Sequence, residues 1–296
     1  MASLKEVRTR IASVKSTQQI TSAMKMVAAS KLRRAQNAIV QMRPFAAKLQ
    51  ELLRDLSASL DGADDRSVYS VQRIPKKVLL IPVTSNRGLC GAFNANVIKA
   101  TNILVEEKYA EQMSAGNLSL ITIGRKASEF FGKRNFNILS VEDEIFNNLT
   151  FENVAEISNR VMEMFANGEY DRVELIYNQF KNAATQILVT EQFLPIEPVE
   201  VEDGNEKKEN VDYIFEPSEE EIVLDLIPKS LRTQFYKAIL DSNASEHGAR
   251  MTAMHQATDN ATELLKDLNL AYNKARQASI TNEILEIVSG AEALKG

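Results

Sequence analysis

The chain has 296 residues and a formal net charge of −5, and it contains only 11 glycines and 7 prolines. This length allows one large or two medium domains, and the scarcity of helix-breaking residues favours long uninterrupted helices. Cys90 is the only cysteine, which excludes an internal disulfide and a cysteine-based zinc site. The histidines, His247 and His255, do not form a metal-binding motif, so we predict structural or solvent-facing roles for both and no metal site.

The start of the chain, Met-Ala-Ser-Leu-Lys, has neither the apolar core of a signal peptide nor the composition of a transit peptide. No stretch approaches the roughly 18 apolar residues that span a bilayer. We therefore expect a soluble protein, or one peripheral to a membrane without inserting into it. A cytoplasmic location in a bacterium is the simplest interpretation.

The first segment, residues 1–60, carries a sustained seven-residue repeat of apolar side chains that predicts one long helix. Pro44 is expected to bend this helix or to be absorbed as a kink. The predicted seam contains, in chain order, Leu4, Val7, Ile11, Val14, Gln18, Thr21, Lys25, Ala28, Leu32, Ala35, Ile39, Met42, Ala46, Leu49, Leu53 and Leu56.

This first segment is also basic, since residues 1–56 hold eleven Lys or Arg and three Asp or Glu, a net charge of +8. A basic helix indicates a solvated face or an acidic partner. A nucleic-acid-binding coiled coil is the alternative. The segment lacks interleaved aromatic residues that would stack on bases and matches no nucleic-acid-binding motif, so we predict no nucleic-acid partner.

The second segment, residues 75–215, alternates apolar runs of strand length with stretches of helical periodicity, which predicts an α/β domain with a mostly parallel sheet. The last two strands could form a hairpin around Asn182. The predicted strands are 77–83, 118–123, 172–178 and 185–195, and the predicted helices are 93–109 and 151–166.

In the third segment, residues 217–296, Ser218 fits the N-cap of a helix, and Pro228 fits the first turn of the next helix, a long one predicted to run from about 229 to 288. Neither terminal helix can bury its apolar seam alone. We therefore predict an antiparallel coiled coil of the N- and C-terminal helices with an inserted Rossmann-like α/β domain. The predicted seam of the last helix is alanine-rich and contains Met254, Ala257, Ala261, Leu264, Leu268, Ala271, Ala275 and Ala278.

The turn from Thr84 to Phe93 is the one place that suggests catalysis, because turns between a strand and a helix bind phosphate in nucleotide-binding folds. However, Gly88 and Gly91 do not complete a dinucleotide motif, and no P-loop motif is present. We interpret Cys90 as a small, partly buried residue rather than a nucleophile. The sequence thus predicts no catalytic residue and no bound cofactor, although a nucleotide-binding enzyme with helical arms remains an alternative.

Residues 16–25 interrupt the apolar repeat with small and polar side chains. A stretch that is neither strongly apolar nor highly charged could turn inside a surrounding sleeve of protein. It could equally be a polar layer that sets the register of the coiled coil. The pattern alone does not choose between these two interpretations.

Long motifs lie at both ends and in the middle of the chain, at residues 11–34, 87–91, 249–254, 257–260 and 272–291. Together these motifs resemble the γ subunit of F-type ATP synthases of the bacterial type. The resemblance implies a non-catalytic central shaft, whose rotation by a proton- or sodium-driven membrane ring changes the conformation of three catalytic β subunits. It further implies a peripheral position on the cytoplasmic face of the bacterial inner membrane.

The resemblance also implies contacts for individual residues. Met24 and Lys25 would face an acidic lever segment of β, and Arg250, Arg276, Gln277 and Thr281 would make polar contacts with β loops. The tip after Ile280 would sit in an apolar bearing of the α₃β₃ hexamer. The motif that contains Tyr213 and Glu216 would meet the c-ring, and the ε subunit would dock on the α/β domain and the lower coil.

One departure from the family pattern concerns Asn86, which stands where many relatives have Asp before the Arg-Gly-Leu-Cys-Gly motif. We therefore do not assign a role for charge at that position. The chain also lacks the paired-cysteine insertion of chloroplast relatives, so thiol control is not expected.

Overall fold

A computed structural model describes residues 4–59, 68–196 and 219–293. The first and the last element of the described chain are two unusually long helices. The helices are α1 (Leu4–Ser59), α2 (Phe93–Lys108), α3 (Ala110–Ser114), α4 (Arg125–Phe131), α5 (Phe151–Ala166) and α6 (Glu219–Ala293). The strands are β1 (Val78–Pro82), β2 (Leu118–Ile123), β3 (Asn137–Glu142), β4 (Arg172–Phe180) and β5 (Gln186–Leu194).

The five strands form one sheet in the order β3-β2-β1-β4-β5. The first four run parallel, and β5 pairs antiparallel with β4. This is the strand order of a Rossmann-type half with an antiparallel edge, so the predicted mostly parallel sheet is confirmed. The predicted hairpin is confirmed as well, since the Asn182 side chain accepts hydrogen bonds from the backbone N–H groups of Ala184 and Thr185 at 3.0 and 2.7 Å.

The sheet carries apolar side chains on both of its faces. Every residue of the central strands β1 and β2 is buried, as expected for a sheet that is covered on each side. One face packs against α5 and α6, with Phe165 and Phe235 among its largest fully buried side chains. The other face packs against α2 and α4, where Phe131 and Tyr109 are buried.

Contacts divide the chain into two compact units. Unit 1 contains residues 1–29 and 250–296, and unit 2 contains residues 30–249. The α/β domain therefore belongs to unit 2, together with parts of both long helices. The predicted domain boundaries, at residues 1–60, 75–215 and 217–296, remain a prediction from the sequence.

Sequence reasoning missed three elements and misplaced one proline. It made no prediction for α3, α4 or β3. Pro228 lies inside α6 rather than in a first turn, because α6 already begins at Glu219. The predicted N-cap, Ser218, lies outside the described residues. Helix α1 continues through Pro44, so the proline is absorbed within the helix.

Candidate functional site

The α1 seam in unit 1 follows the predicted seven-residue repeat. Val7, Thr21 and Ala28 are buried, and the remaining predicted positions from Leu4 to Lys25 are half-buried. The pattern continues into unit 2, where Leu32 and Leu49 are buried. The predicted seam is therefore confirmed over the part of α1 whose side chains are described.

The α6 seam is partly different from the prediction. Leu264, Ala271 and Ala278 are exposed, and the half-buried residues one position later are Leu265, Tyr272 and Ser279. Met254, Ala261 and Leu268 are buried as predicted. Ala257 and Ala275 are half-buried, which agrees with the predicted seam. After Ala261 and Leu268 the sequence interpretation placed the next seam residue three positions on, whereas the helix places it four positions on, so the true seam is less alanine-rich than predicted.

A polar layer joins the two helices of unit 1. The Gln18 side-chain amide donates to the Thr262 hydroxyl at 2.7 Å, and the hydroxyl oxygens of Thr21 and Thr258 lie 2.8 Å apart. Since Gln18 precedes Thr21 while Thr262 follows Thr258, the helices run antiparallel. Polar side chains at seam positions set the register of a coiled coil, so this layer has the geometry of a register-setting element.

The register brings three of the candidate contact residues together. Lys25 stands four residues after Thr21 and Met254 stands four before Thr258, so these two residues share one level. Arg250 lies one turn further along α6, about 6 Å away along the axis. Met24, Lys25 and Arg250 are each half-buried. Two cationic side chains and a methionine thus stand within about one helical turn of each other.

The remaining candidates of unit 1 form a separate group. Arg276 lies roughly 33 Å along α6 from the level of Met254. It is exposed, as are Gln277 and Thr281, and the Thr281 hydroxyl donates to the Gln277 carbonyl at 2.9 Å. The structure therefore does not bring these three residues to the level of Lys25. The two other candidates, Tyr213 and Glu216, lie outside the described residues.

The end of α6 exposes apolar side chains. By the same register, Leu4 stands level with Ala275, so the residues after it have no partner from α1 among the described residues. Every residue from Ile280 to Glu292 is exposed. The large apolar side chains among them are those of Ile280, Ile284, Leu285, Ile287 and Val288. A helix end of this kind presents a contiguous apolar surface, which marks an interaction site.

The turn after β1 is closed by its own side chains. The Asn94 side-chain oxygen accepts from the Ser85 backbone N–H at 2.9 Å, and the Ser85 hydroxyl donates to the Arg87 carbonyl at 2.7 Å. Cys90 is buried beside them, with the Asn94 side-chain nitrogen 3.2 Å from its sulfur. These groups use one another as hydrogen-bond partners, which is the arrangement of a packed turn rather than of an open phosphate cradle.

A second network closes the same edge of the sheet. The Asn86 side chain donates to the Asp143 carbonyl at 2.6 Å and accepts from the Arg125 backbone N–H at 3.0 Å. The Arg125 guanidinium also pairs with the Asp143 carboxylate at 3.0 Å. Asn86 therefore uses both halves of its amide, which an aspartate at this position could not do.

A cavity of about 440 Å³ lies in unit 2, with a polar lining that includes Glu144, Asn153 and Glu156. Arg160 also lines it and pairs with Glu142 at 2.5 Å. None of the candidate contact residues that the structure describes lies there. Among the described residues, no three metal-ligating side chains form a cluster that could hold an ion.

Buried polar clusters hold the sheet of unit 2 to its helices. Glu174, which is 2% exposed, accepts from Lys108 at 2.6 Å and from the Tyr109 hydroxyl. Burial and the neighbouring Glu174 raise the pKa of Tyr109. The Tyr177 hydroxyl donates to Glu191 at 2.8 Å, and burial and that carboxylate raise the pKa of Tyr177. Sequence reasoning missed these pairs, because the partners are not neighbours along the chain.

Comparison with known proteins gives one family over almost the whole chain. Residues 3–294 match the family model described as ATP synthase. The ATP synthase gamma chain of Flavobacterium johnsoniae is 61% identical, and that of Flavobacterium psychrophilum is 60% identical, each alignment covering 100% of both chains. The gamma chain of Christiangramia forsetii is 57% identical with the same coverage.

Solved structures give the same picture. A chain from the central stalk and c-ring structure of the Tetrahymena thermophila mitochondrial ATP synthase is 26% identical, with a TM-score of 0.60. The match covers 80% of this chain and 99% of that one. A chain of the Euglena gracilis mitochondrial ATP synthase has a TM-score of 0.67 at 21% identity, covering 98% and 94%, and supports the fold. Within the described residues, no helix is both long and apolar enough to cross a membrane.

Proposed function

Because this chain belongs to the ATP synthase gamma-chain family, we propose specific subunit contacts for the two ends of its coiled coil and for its α/β domain. The chain is the central rotary shaft of the F1Fo ATP synthase, acting in ATP synthesis as a peripheral, non-catalytic subunit. What remains to be assigned is which residues meet which partner.

We assign the contact with the catalytic β subunits to the part of the coiled coil at the level of Lys25. Met24 and Lys25 would face the acidic lever segment of β, and Arg250, one helical turn away, would make polar contacts with β loops. The basic character of residues 1–56 supports this assignment, because a net charge of +8 attracts an acidic partner. No described residue neutralises the Lys25 ammonium group through an ion pair, so its charge is available to a partner.

The end of α6 is the proposed contact with the upper part of the α₃β₃ hexamer. Arg276, Gln277 and Thr281 are exposed and polar, which fits contacts to β loops. The exposed apolar side chains from Ile280 to Val288 fit an apolar bearing, since a partner that covers them removes apolar surface from water. A smooth apolar contact without directional hydrogen bonds also permits rotation.

Unit 2 is the proposed side of the c-ring and of the ε subunit. The motif that holds Tyr213 and Glu216 would contact the polar loops of the c-ring, and ε would dock on the α/β domain and the lower coil. These contacts would place the chain at the cytoplasmic face of a bacterial inner membrane. The family resemblance supports them, and the two named residues lie outside the described part of the chain.

Charge reversal at the level of Lys25 tests the proposal. Lys25→Glu and Arg250→Glu variants would be reconstituted with purified α and β subunits, and the ATPase activity of the isolated complex would be measured. We expect the complex to form with reduced ATPase activity, because Lys25→Glu repels an acidic partner and Arg250→Glu removes a cationic side chain from a polar contact. Lys133→Glu is the matched control, since Lys133 is exposed on unit 2. Wild-type activity in both coiled-coil variants would contradict the assigned contact.

A further inference from the structure

Helix α6 is held in unit 2 by an apolar face that packs on the sheet. The residues of α6 in this shared core are Ile227, Leu231, Phe235, Ala238 and Ile239. The Phe235 ring lies 5.3 Å from the ring of Phe193 on β5. Apolar contacts of this kind are strong but not directional, so on their own they resist separation better than they resist sliding or rolling of the helix.

One side chain adds direction to this contact. Glu191, on β5, accepts a hydrogen bond from the Tyr177 hydroxyl of β4 at 2.8 Å through one carboxylate oxygen. Its other oxygen accepts from the side-chain amide of Gln234 on α6. Both oxygens of one carboxylate are thus used, and two strands and the long helix meet at a single group. Hydrogen bonds to an ionised acceptor are the stronger and more directional kind.

The surroundings keep Glu191 in place. Tyr177, which is 3% exposed, can act as a donor only while it is protonated, and its burial and the nearby carboxylates of Glu191 and Asp241 favour the protonated form. A second polar contact lies about half a turn away along α6, where the Arg232 guanidinium donates to the Asn159 side chain of α5 at 2.6 Å. Both contacts are directional, so each opposes rotation of α6 about its own axis within unit 2.

We infer that Glu191 is a positioning residue of the rotary shaft, which fixes the rotational phase of α6 against the sheet so that torque applied to unit 2 passes into the long helix. The inference rests on the proposed contact of unit 2 with the c-ring. Helix α6 is continuous from Glu219 to Ala293.

Exchanging the carboxylate and the amide between positions 191 and 234 separates the effect of these hydrogen bonds from an effect on the stability of the chain. In Gln234→Glu, two carboxylates face each other and the bond to α6 is lost. In the double variant Glu191→Gln with Gln234→Glu, the new amide at position 191 accepts from Tyr177 through its oxygen and donates to the new carboxylate at position 234. Both bonds therefore return, with donor and acceptor exchanged between the strand and the helix.

Glu191→Ala removes the acceptor altogether, and Thr190→Ala is the matched control, because Thr190 is the exposed neighbour on β5.

The measurement is the number of ions pumped per ATP hydrolysed by the whole ATP synthase in sealed vesicles. We expect Gln234→Glu and Glu191→Ala to lose roughly half of the ions moved per ATP, because a directional contact that opposes rotation of α6 against the sheet is gone. The swap and Thr190→Ala should keep the wild-type ratio. A purely structural role would lower the amount of complex without changing this ratio.

Two further outcomes separate this inference from the proposed function. A normally assembled complex with Gln234→Glu and an unchanged ratio would overturn the role of Glu191 alone, as would a swap variant no better than Gln234→Glu. A wild-type chain that does not copurify with the c-ring would instead contradict the proposed contact of unit 2.

Discussion

Thr21 on α1 and Thr258 on α6 face each other across the coiled coil of unit 1 with their hydroxyl oxygens 2.8 Å apart. Thr21 is 8% exposed, so this is a buried polar contact at a seam position. Each hydroxyl also lies near a carbonyl of its own helix, that of Gln18 at 3.0 Å and that of Met254 at 2.7 Å. Both hydroxyls of the pair therefore have hydrogen-bond partners. An apolar layer could form in several registers of the two helices, whereas this pair forms only when Thr21 and Thr258 face each other.

Valine substitution measures what this pair contributes. Thr258→Val leaves the Thr21 hydroxyl with one partner fewer, and we expect a loss of about 1 kcal/mol in the free energy of unfolding. Adding Thr21→Val removes both hydroxyls while keeping their shape, so the double variant should lose less than the sum of the single losses. Denaturant titration of the full chain gives these values. Thr17→Val, at an exposed position, should change little, and strict additivity would contradict the contact.

Gly124 occupies a position that no other residue fits. Its φ is +91°, and a Cβ built on it would lie 2.1 Å from the carbonyl oxygen of Thr84. Gly124→Ala should therefore cost about 3 kcal/mol or more, because it adds a clash to backbone strain. Gly116→Ala is the matched control, since Gly116 has φ +73° but no atom within 4 Å of the added carbon, and strain alone should cost about 1 kcal/mol. Equal losses in the two variants would contradict the close approach.

The hydrogen bonds of the Asn86 side chain allow a prediction for the stability of the Asn86→Asp variant. Asn86→Asp removes the donor to the Asp143 carbonyl and places a carboxylate oxygen against it, while the acceptor for the Arg125 N–H is kept. We expect a loss of about 1–2 kcal/mol in thermal or denaturant unfolding. Asn96→Asp, on an exposed position in the first turn of α2, should be neutral or slightly stabilising. An Asn86→Asp variant as stable as wild type would show that the amide donor contributes nothing.

We predict that the folded chain loses stability at alkaline pH because of two buried tyrosines, Tyr109 and Tyr177. Burial, followed by hydrogen bonding to Glu174, raises the pKa of Tyr109, and burial with the nearby Glu191 raises that of Tyr177. In the unfolded chain both groups ionise near pH 10, while the folded chain keeps them protonated, so the stability that they contribute is complete below about pH 10 and decreases above it. Each tyrosine contributes a slope of at most about 1.4 kcal/mol per pH unit.

Phenylalanine substitution tests this dependence. The Tyr109→Phe and Tyr177→Phe double variant should be less stable than wild type at about pH 8, because it lacks two hydrogen bonds. Between about pH 10 and 12 its free energy of unfolding should fall less steeply than that of wild type. Parallel curves for the two proteins over this range would mean that the tyrosines titrate equally in the folded and unfolded chains.

Sequence reasoning predicted the elements that carry a long or dense apolar signal. The α1 repeat extends over many heptads, and β1 and β2 are buried on both faces and read as continuous apolar runs. Edge strand β3 was missed because its residues alternate between exposed and half-buried and give only a weak signal. Helix α4 was missed since it has seven residues, too few for helical periodicity to be recognised.

The candidate site was predicted in part for a similar reason. The later part of the α6 seam was misphased because alanines at both 271 and 278 made an incorrect repeat look as regular as the true one. The partners of Gln18 and Thr21 were not predicted, since 244 and 237 residues separate them from Thr262 and Thr258 along the chain. Contacts of this kind depend on the register, and the register depends on the fold of the whole chain.

Reconstitution tests the rotary-shaft account most directly. The chain would be mixed with purified α and β subunits, any complex would be isolated by size, and its subunit ratio and ATPase activity would be measured. The account predicts one copy of this chain for three α and three β subunits, with ATPase activity in the complex and none in this chain alone. Failure to join the cognate α and β subunits, or ATP turnover by this chain alone, would contradict it.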